Sequence, residues 1–132
     1  MFRIIAFLML LSQAAAAQSA MSGDEFDAYT LGKTLTFMEN GQAYGVEQYL
    51  PGRRVTWAFD NGDCKTGRWN EPETGMICFS YEGSDEGAQC WNFFRIETGL
   101  RAKFLGVTDG RELYEARRSL SPMLCLGPQV GV

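Results

Sequence analysis

From Lys33 onward the chain alternates short runs rich in Val, Thr, Tyr, Phe and Trp with the dipeptides Asn40-Gly41, Pro51-Gly52, Asn61-Gly62, Thr98-Gly99 and Asp109-Gly110. Short β-branched and aromatic runs punctuated in this way are the pattern of consecutive β-hairpins. A two-residue loop fixes which residues face each other, and a wrong register scatters apolar residues over both faces. Closing on Asn40-Gly41 sets Phe37 opposite Tyr44. Closing on Pro51-Gly52 sets Tyr44 opposite Phe59 and Val46 opposite Trp57, and closing on Asn61-Gly62 sets Phe59 opposite Cys64. One face then carries Leu35, Phe37, Tyr44, Val46, Val55, Trp57, Phe59 and Cys64; the other carries Thr34, Thr36, Glu47, Arg54, Thr56 and Lys65. Pro-Gly usually makes a type II turn, which suits a two-residue hairpin poorly, so the second loop is the one expected to run longer.

The second half follows the same logic. Ile77, Phe79 and Tyr81 alternate, and a polar loop from Glu82 to Ala88 returns the chain so that Cys78 faces Cys90, Ile77 faces Trp91 and Phe79 faces Gln89. Closing on Thr98-Gly99 sets Phe93 opposite Phe104, and Asp109-Gly110 sets Gly106 opposite Leu113. The expectation is a mainly β fold, an antiparallel up-and-down meander of about eight strands that curls into a small barrel or half-barrel. Ahead of it, Ser22-Gly23-Asp24-Glu25 fits a capping box. One short N-terminal helix should follow, with Phe26 and Tyr29 on one side and Gly32 ending it, placed to plug or cover one end of the barrel.

The first residues read differently. Arg3, an apolar run from Ile4 to Leu11, Ala14-Ala15-Ala16-Ala17 and polar Gln18 form the order of a secretory signal, with cleavage expected near Ala17. The run is too short to span a bilayer, which needs roughly 20 apolar residues. Residues 1–17 are therefore read as a signal peptide and 18–132 as a single β-rich domain with a C-terminal tail from about 119. The expected destination is periplasmic or secreted. The formal net charge of −4 argues against a nucleic-acid partner, which would want a basic patch. In an oxidising compartment the four cysteines read as disulfides. Cys78 with Cys90 would clip one hairpin, and Cys64 with Cys125 would tie the tail to the sheet. The alternative of a four-thiolate zinc site lacks paired C-x2-C knuckles.

Candidate chemistry is sparse. Asp60-Asn61-Gly62-Asp63 with Glu71 suggests a calcium loop, but Gly62, Cys64 and Lys65 occupy positions that need ligands or the loop glycine, and a hairpin turn accounts for the same residues. Glu71 and Glu73 around Pro72, and Asp85 with Glu86 in the long loop, are carboxylate pairs better read as solvated surface. The chain has no histidine. With its cysteines oxidised it lacks the usual nucleophile and base, so no catalytic residue, metal or cofactor is assigned and no enzymatic activity is expected. Arg53 and Arg54 are read as the start of a strand. Gly67-Arg68-Trp69 matches a lipocalin-type G-x-W but lies mid-chain, where a core tryptophan after a glycine bend explains it. Trp57, Phe59, Tyr44, Phe79, Trp91 and Phe93, together with Trp69 and Tyr81, are candidates for filling the core or lining a ligand cavity, since small barrels do either.

Gly41-x-x-Tyr44-Gly45 followed by Arg54-x-x-Trp57, then Cys64-x-x-Gly67-x-Trp69, Ile77-Cys78-Phe79-x-Tyr81 and Cys90-Trp91, resembles small exported alphaproteobacterial proteins of unknown function, including the group called DUF995. The resemblance covers roughly residues 21–95 and implies an exported, lipocalin-like small barrel; it brings no catalytic residues. Two functions are expected from different classes. One is a non-enzymatic binding or accessory protein taking a small apolar ligand or peptide. The other is a structural or protein-interaction domain with a filled core, such as an envelope factor or inhibitor.

Overall fold

The computed structural model describes residues 18–59, 63–106 and 110–125. The signal-peptide reading of 1–17, the Asp60-Asn61-Gly62 stretch of the calcium reading, and the tail beyond Cys125 lie outside the described residues. Helix α1 (Gly23–Thr30) starts as the capping box requires: the Ser22 hydroxyl accepts from the Glu25 amide at 3.2 Å, and the Ser22 amide donates to the Glu25 carboxylate at 3.3 Å. Gly32, at φ +79°, turns the chain out of the helix.

Among the described residues, eight strands follow: β1 (Thr34–Glu39), β2 (Gln42–Leu50), β3 (Arg54–Phe59), β4 (Cys64–Glu73), β5 (Met76–Tyr81), β6 (Gln89–Ile96), β7 (Gly99–Phe104) and β8 (Glu112–Ser119). Each pairs antiparallel with the next, and β8 returns to β1, so the meander closes into a barrel with no free edge. Closure settles the alternative between barrel and half-barrel.

The registers separate what turn chemistry specifies from what it leaves open. Asn40 and Gly41 both hold positive φ, 50° and 77°, and close a two-residue loop with Glu39 opposite Gln42. A bulge between Phe37 and Met38 then sets Phe37 opposite Gly45, not Tyr44. The β2–β3 loop takes three residues, Pro51, Gly52 and Arg53, because Gly52 and Arg53 both adopt positive φ and Leu50 pairs with Arg54. Arg53 is thus a turn residue, and only Arg54 begins the strand. The added residue places Gly45 opposite Phe59 and Glu47 opposite Trp57, correcting the expected pairs. A one-residue slip exchanges the two faces of a strand. Gly45, Glu47 and Tyr49 are therefore buried, while Val46, Gln48 and Leu50 are only partly covered.

Between β3 and β4, Ala58 pairs with Cys64 and Trp57 with Lys65, one step from the expected register, so Lys65 moves to the cavity side. The shifts in the second half are even-numbered and spare the faces. Ile96 pairs with Gly99, so β6–β7 turns at Glu97-Thr98, and Phe93 meets Ala102 instead of Phe104. Leu113 meets that same Ala102 instead of Gly106. The β4–β5 turn falls at Thr74-Gly75, a pair not read as a turn from the sequence, with Gly75 at φ +80°. The β5–β6 hairpin has the expected pairs, Ile77–Trp91, Cys78–Cys90 and Phe79–Gln89.

Two disulfides join Cys78 to Cys90 and Cys64 to Cys125. The first links adjacent strands; the second brings the segment after β8 back to the start of β4. On chain entropy alone their loops correspond to about 3 and about 4 kcal/mol of stabilisation.

Helix α1 plugs one end. Phe26 is fully buried, its ring centroid 4.4 Å from Phe93, 5.1 Å from Trp69, 5.6 Å from Tyr49 and 6.2 Å from Phe79. Burying one such side chain stabilises by roughly 1.5–3 kcal/mol. Met21 donates its amide to the Phe93 carbonyl at 2.7 Å, and the Glu71 carboxylate accepts from the Gly23 amide at 2.7 Å and the Gly75 amide at 2.8 Å. Glu71 thus fastens the start of the helix to the β4–β5 turn. These hydrogen bonds hold its carboxyl below the usual range, Gly75 contributing most and Gly23 next. Trp69 belongs to this plugged end too, with the Arg53 guanidinium 4.5 Å above its ring. Gly67 lies inside β4 opposite Tyr81, so the G-x-W match marks a close approach of strands and a core tryptophan.

Candidate functional site

At the end opposite α1 the barrel holds an open cavity of about 70 Å³. Its wall and floor come from inward-facing positions of successive strands, and its rim from the β5–β6 loop at Ser84, Glu86 and Gly87. All six residues singled out from sequence, Tyr44, Trp57, Phe59, Phe79, Trp91 and Phe93, border it, and Tyr81 joins them. Trp57 is 9% exposed and Phe59 46%, so the lining passes from buried ring to wet rim over two residues of β3. Trp69, at the helix end, is not part of it.

Two glycines make room for the rings. A Cβ on Gly45 would collide with the six-membered ring of Trp57, and one on Gly67 would lie 2.5 Å from the Ser80 carbonyl and 2.7 Å from the Tyr81 ring. Trp57 and Tyr81 lean into the space these residues leave. Around the mouth, Tyr44, Trp57 and Phe59 form a mutually tilted trio with centroids 5.4–5.9 Å apart. Arg111 donates to the Tyr44 hydroxyl at 3.1 Å and pairs with Glu39 at 2.7 Å, which fixes that ring at the rim.

The residue that sequence reasoning placed on the wrong face is the distinctive one. Glu47 is 1% exposed and borders the cavity. Its carboxyl accepts from the Tyr81 hydroxyl at 2.8 and 3.0 Å, and no cationic side chain among the described residues pairs with it. Burial pushes its pKa well above the ordinary 4.5, with the Tyr81 hydrogen bond acting weakly the other way. Tyr81 and the floor residue Tyr49 are pushed up as well, in both cases first by burial and next by the nearby Glu47 charge.

A second inward carboxylate shows what compensation looks like. Glu115 on β8 is 5% exposed, accepts from the Tyr29 hydroxyl at 2.8 Å and pairs with Arg118 at 2.9 Å, and it does not border the cavity. Glu47 has only a phenol and an opening. Of the two carboxylate pairs noted in the sequence, Glu71 is occupied with backbone amides, and Glu86 accepts from Gln89 at 2.5 Å on the rim.

The signal for Glu47 was present in the chain: Gly45, Glu47 and Tyr49 share a parity, and a three-residue Pro51–Arg53 loop selects that parity as inward. The competing set, Tyr44 and Val46, followed from closing the Pro51-Gly52 turn on two residues, and its apolar pattern agreed with that closure. No family model, curated protein or solved structure matches the chain.

Proposed function

We propose that this chain is a non-enzymatic binding protein, periplasmic or secreted after cleavage near Ala17, whose barrel mouth takes one small, mainly apolar ligand. We place it, on the motifs that resemble the DUF995 group, among small lipocalin-like barrels. The observation that carries the reading is the division of the interior. Aromatic side chains fill the half beneath α1, whereas the other half opens through aromatic walls onto a single buried carboxyl. Pockets that enclose a drug-sized molecule run to roughly 300 Å³ and upward. A 70 Å³ space admits one small chemical group, with the rest of the ligand held against Tyr44, Phe59 and the 84–87 loop. The two disulfides fit an oxidising compartment, and no helix among the described residues is long and apolar enough to cross a membrane.

Native mass spectrometry of protein purified from its own envelope is the test, backed by tryptophan fluorescence, since Trp57 and Trp91 both border the cavity. A retained small molecule supports the reading. A clean unliganded mass, with fluorescence unmoved across a panel of lipophilic compounds, overturns it. The small cavity, together with Leu120 and Leu124 at 82% and 83% exposure, favours a second reading as a protein-interaction domain with a filled core. A co-purifying protein would select it.

A further inference from the structure

We infer that the ligand of this mouth carries a cationic ammonium head, a primary amine or a quaternary ammonium, which enters the cavity and meets the Glu47 carboxylate within the aromatic walls. The inference rests on the binding reading above and narrows it to a chemical class.

Three observations converge. First, Glu47 is an acceptor in search of a donor. An ionised carboxylate offers about four lone-pair sites. Tyr81 supplies one hydroxyl to both oxygens, and no lysine or arginine among the described residues supplies a countercharge. Taking an unpaired charge out of water is costly, and the protein's own remedy for that cost is seen at Glu115, which has Arg118. At Glu47 the compensating cation would come from outside.

Second, the walls are aromatic. Tyr44, Trp57, Phe59, Trp91 and Tyr81 all border the space, Arg111 already lies 5.4 Å from the Tyr44 ring centroid, and an ammonium that reaches the face of such a ring is attracted by its quadrupole, most strongly at tryptophan. A purely apolar ligand would use these rings and leave Glu47 protonated beside Tyr81, drawing nothing from the carboxyl. A carboxylate-bearing ligand would find no opposite charge at Glu47 and would meet both Glu86 and Lys65 on the lining.

Third, size matches. The cavity of about 70 Å³ confines what enters to one small head group, such as an aminomethyl group, and is too small for a fused ring system.

The charged groups around the site allow a pH signature. Glu47 faces Tyr81 on β5 and lies near Tyr49 on its own strand, with Lys65 of β4 and Glu86 of the 82–88 loop on the lining, and Arg111 reaching the mouth through Tyr44. The tyrosines are pushed upward and stay neutral, and the chain contains no histidine. Above the ordinary carboxyl value of 4.5, therefore, Glu47 is the lining side chain that still holds a proton, and that proton must leave when an ammonium arrives. Its loss links affinity to pH by up to about tenfold per pH unit.

The experiment pairs cations with neutral isosteres: benzylamine against benzyl alcohol, and choline against 3,3-dimethylbutan-1-ol, titrated by tryptophan fluorescence and calorimetry on wild type and Glu47→Gln. The expected result is that each ammonium binds at least tenfold tighter than its isostere and that Glu47→Gln brings the ratio close to one. In wild type, ammonium affinity should also rise as pH climbs above the ordinary carboxyl value of 4.5, while the alcohol's stays flat. That series needs no variant and decides the matter even if Glu47→Gln fails to fold. Equal binding of cation and alcohol, or a cation preference that survives Glu47→Gln, overturns the ammonium assignment while leaving a ligand-binding mouth in place. Failure of all four compounds overturns the ammonium assignment, and failure of the neutral lipophilic panel as well removes the binding reading with it.

Discussion

Replacing Glu47 by glutamine should change how the stability of this protein depends on pH, and the sign can be worked out in advance. Glu47 is 1% exposed and its folded-state pKa lies well above the ordinary 4.5 because of burial. Between those two values the native state holds a proton that the unfolded chain has released. Stability conferred by the protonated form is complete below about pH 4.5 and is lost as pH rises toward the folded value. The loss runs at up to about 1.4 kcal/mol per pH unit, so by pH 7 it is bounded at roughly 3 kcal/mol. Glutamine keeps the shape and its carbonyl can still accept from Tyr81, but it has no proton to lose.

Urea denaturation of both proteins at intervals from pH 4.5 to 8 is the assay, read as the difference between the two curves. Glu71 and the surface carboxylates contribute equally to both and cancel. The absence of histidine removes the usual side-chain titration in this window, so the difference between the two curves belongs to Glu47. Glu47→Gln should be the more stable protein at pH 7, with the gap narrowing steadily toward pH 5. Parallel curves would mean that water or a counterion already satisfies the carboxylate in the folded state, and the reasoning from burial would be refuted.

The remaining predictions concern the scaffold. Gly45→Ala puts a methyl into the Trp57 ring and should cost about 1–3 kcal/mol of overpacking, with a shifted tryptophan emission. Phe26→Ala, which empties the position that α1 drives into the barrel floor, should cost about 3–5 kcal/mol in denaturant melts. Cys64→Ser with Cys125→Ser should cost up to about 4 kcal/mol, and non-reducing peptide mapping of the wild type should recover Cys64–Cys125 and Cys78–Cys90; a Cys64–Cys78 peptide would contradict the strand register. Glu71→Ala should speed hydrogen exchange at the Gly23 and Gly75 amides. Because its carboxyl is held below the usual range, the wild type should lose that protection as pH falls through the lowered value.

How far the chain could be read before its structure was seen depends on parity. Strand count, meander order, the capped helix and the Cys78–Cys90 hairpin all rest on local signals: glycine or asparagine where φ must be positive, and alternation within a run. Errors of two or four residues at β6–β7 and β7–β8 left Phe93 and Leu113 facing inward, because a strand repeats every two residues. The one-residue errors of the first half, at the Phe37/Met38 bulge, at Pro51–Arg53 and between β3 and β4, were different in kind. The first two together turned β2 over, sent Val46 outward and hid a glutamate inside the barrel.

The inversion of β2 has a physical reason. Alternation identifies the inward face only when one set of residues is clearly more apolar, and β2 offers Gly45, Glu47 and Tyr49 against Val46, Gln48 and Leu50. Hydrophobicity favours the second set, yet the barrel takes the first. Gly45 leaves room for Trp57, Tyr49 meets Phe26, and the cost of Glu47 is reduced by Tyr81 and by the opening beside it. A core selected for packing alone would have put Val46 there. Of the two strands that carry an inward glutamate, β8 holds Glu115 against Tyr29 and Arg118 away from the cavity, and β2 is the one that brings its carboxyl to the open end. Under the binding reading proposed above, that placement is the expected departure from the simple hydrophobic pattern.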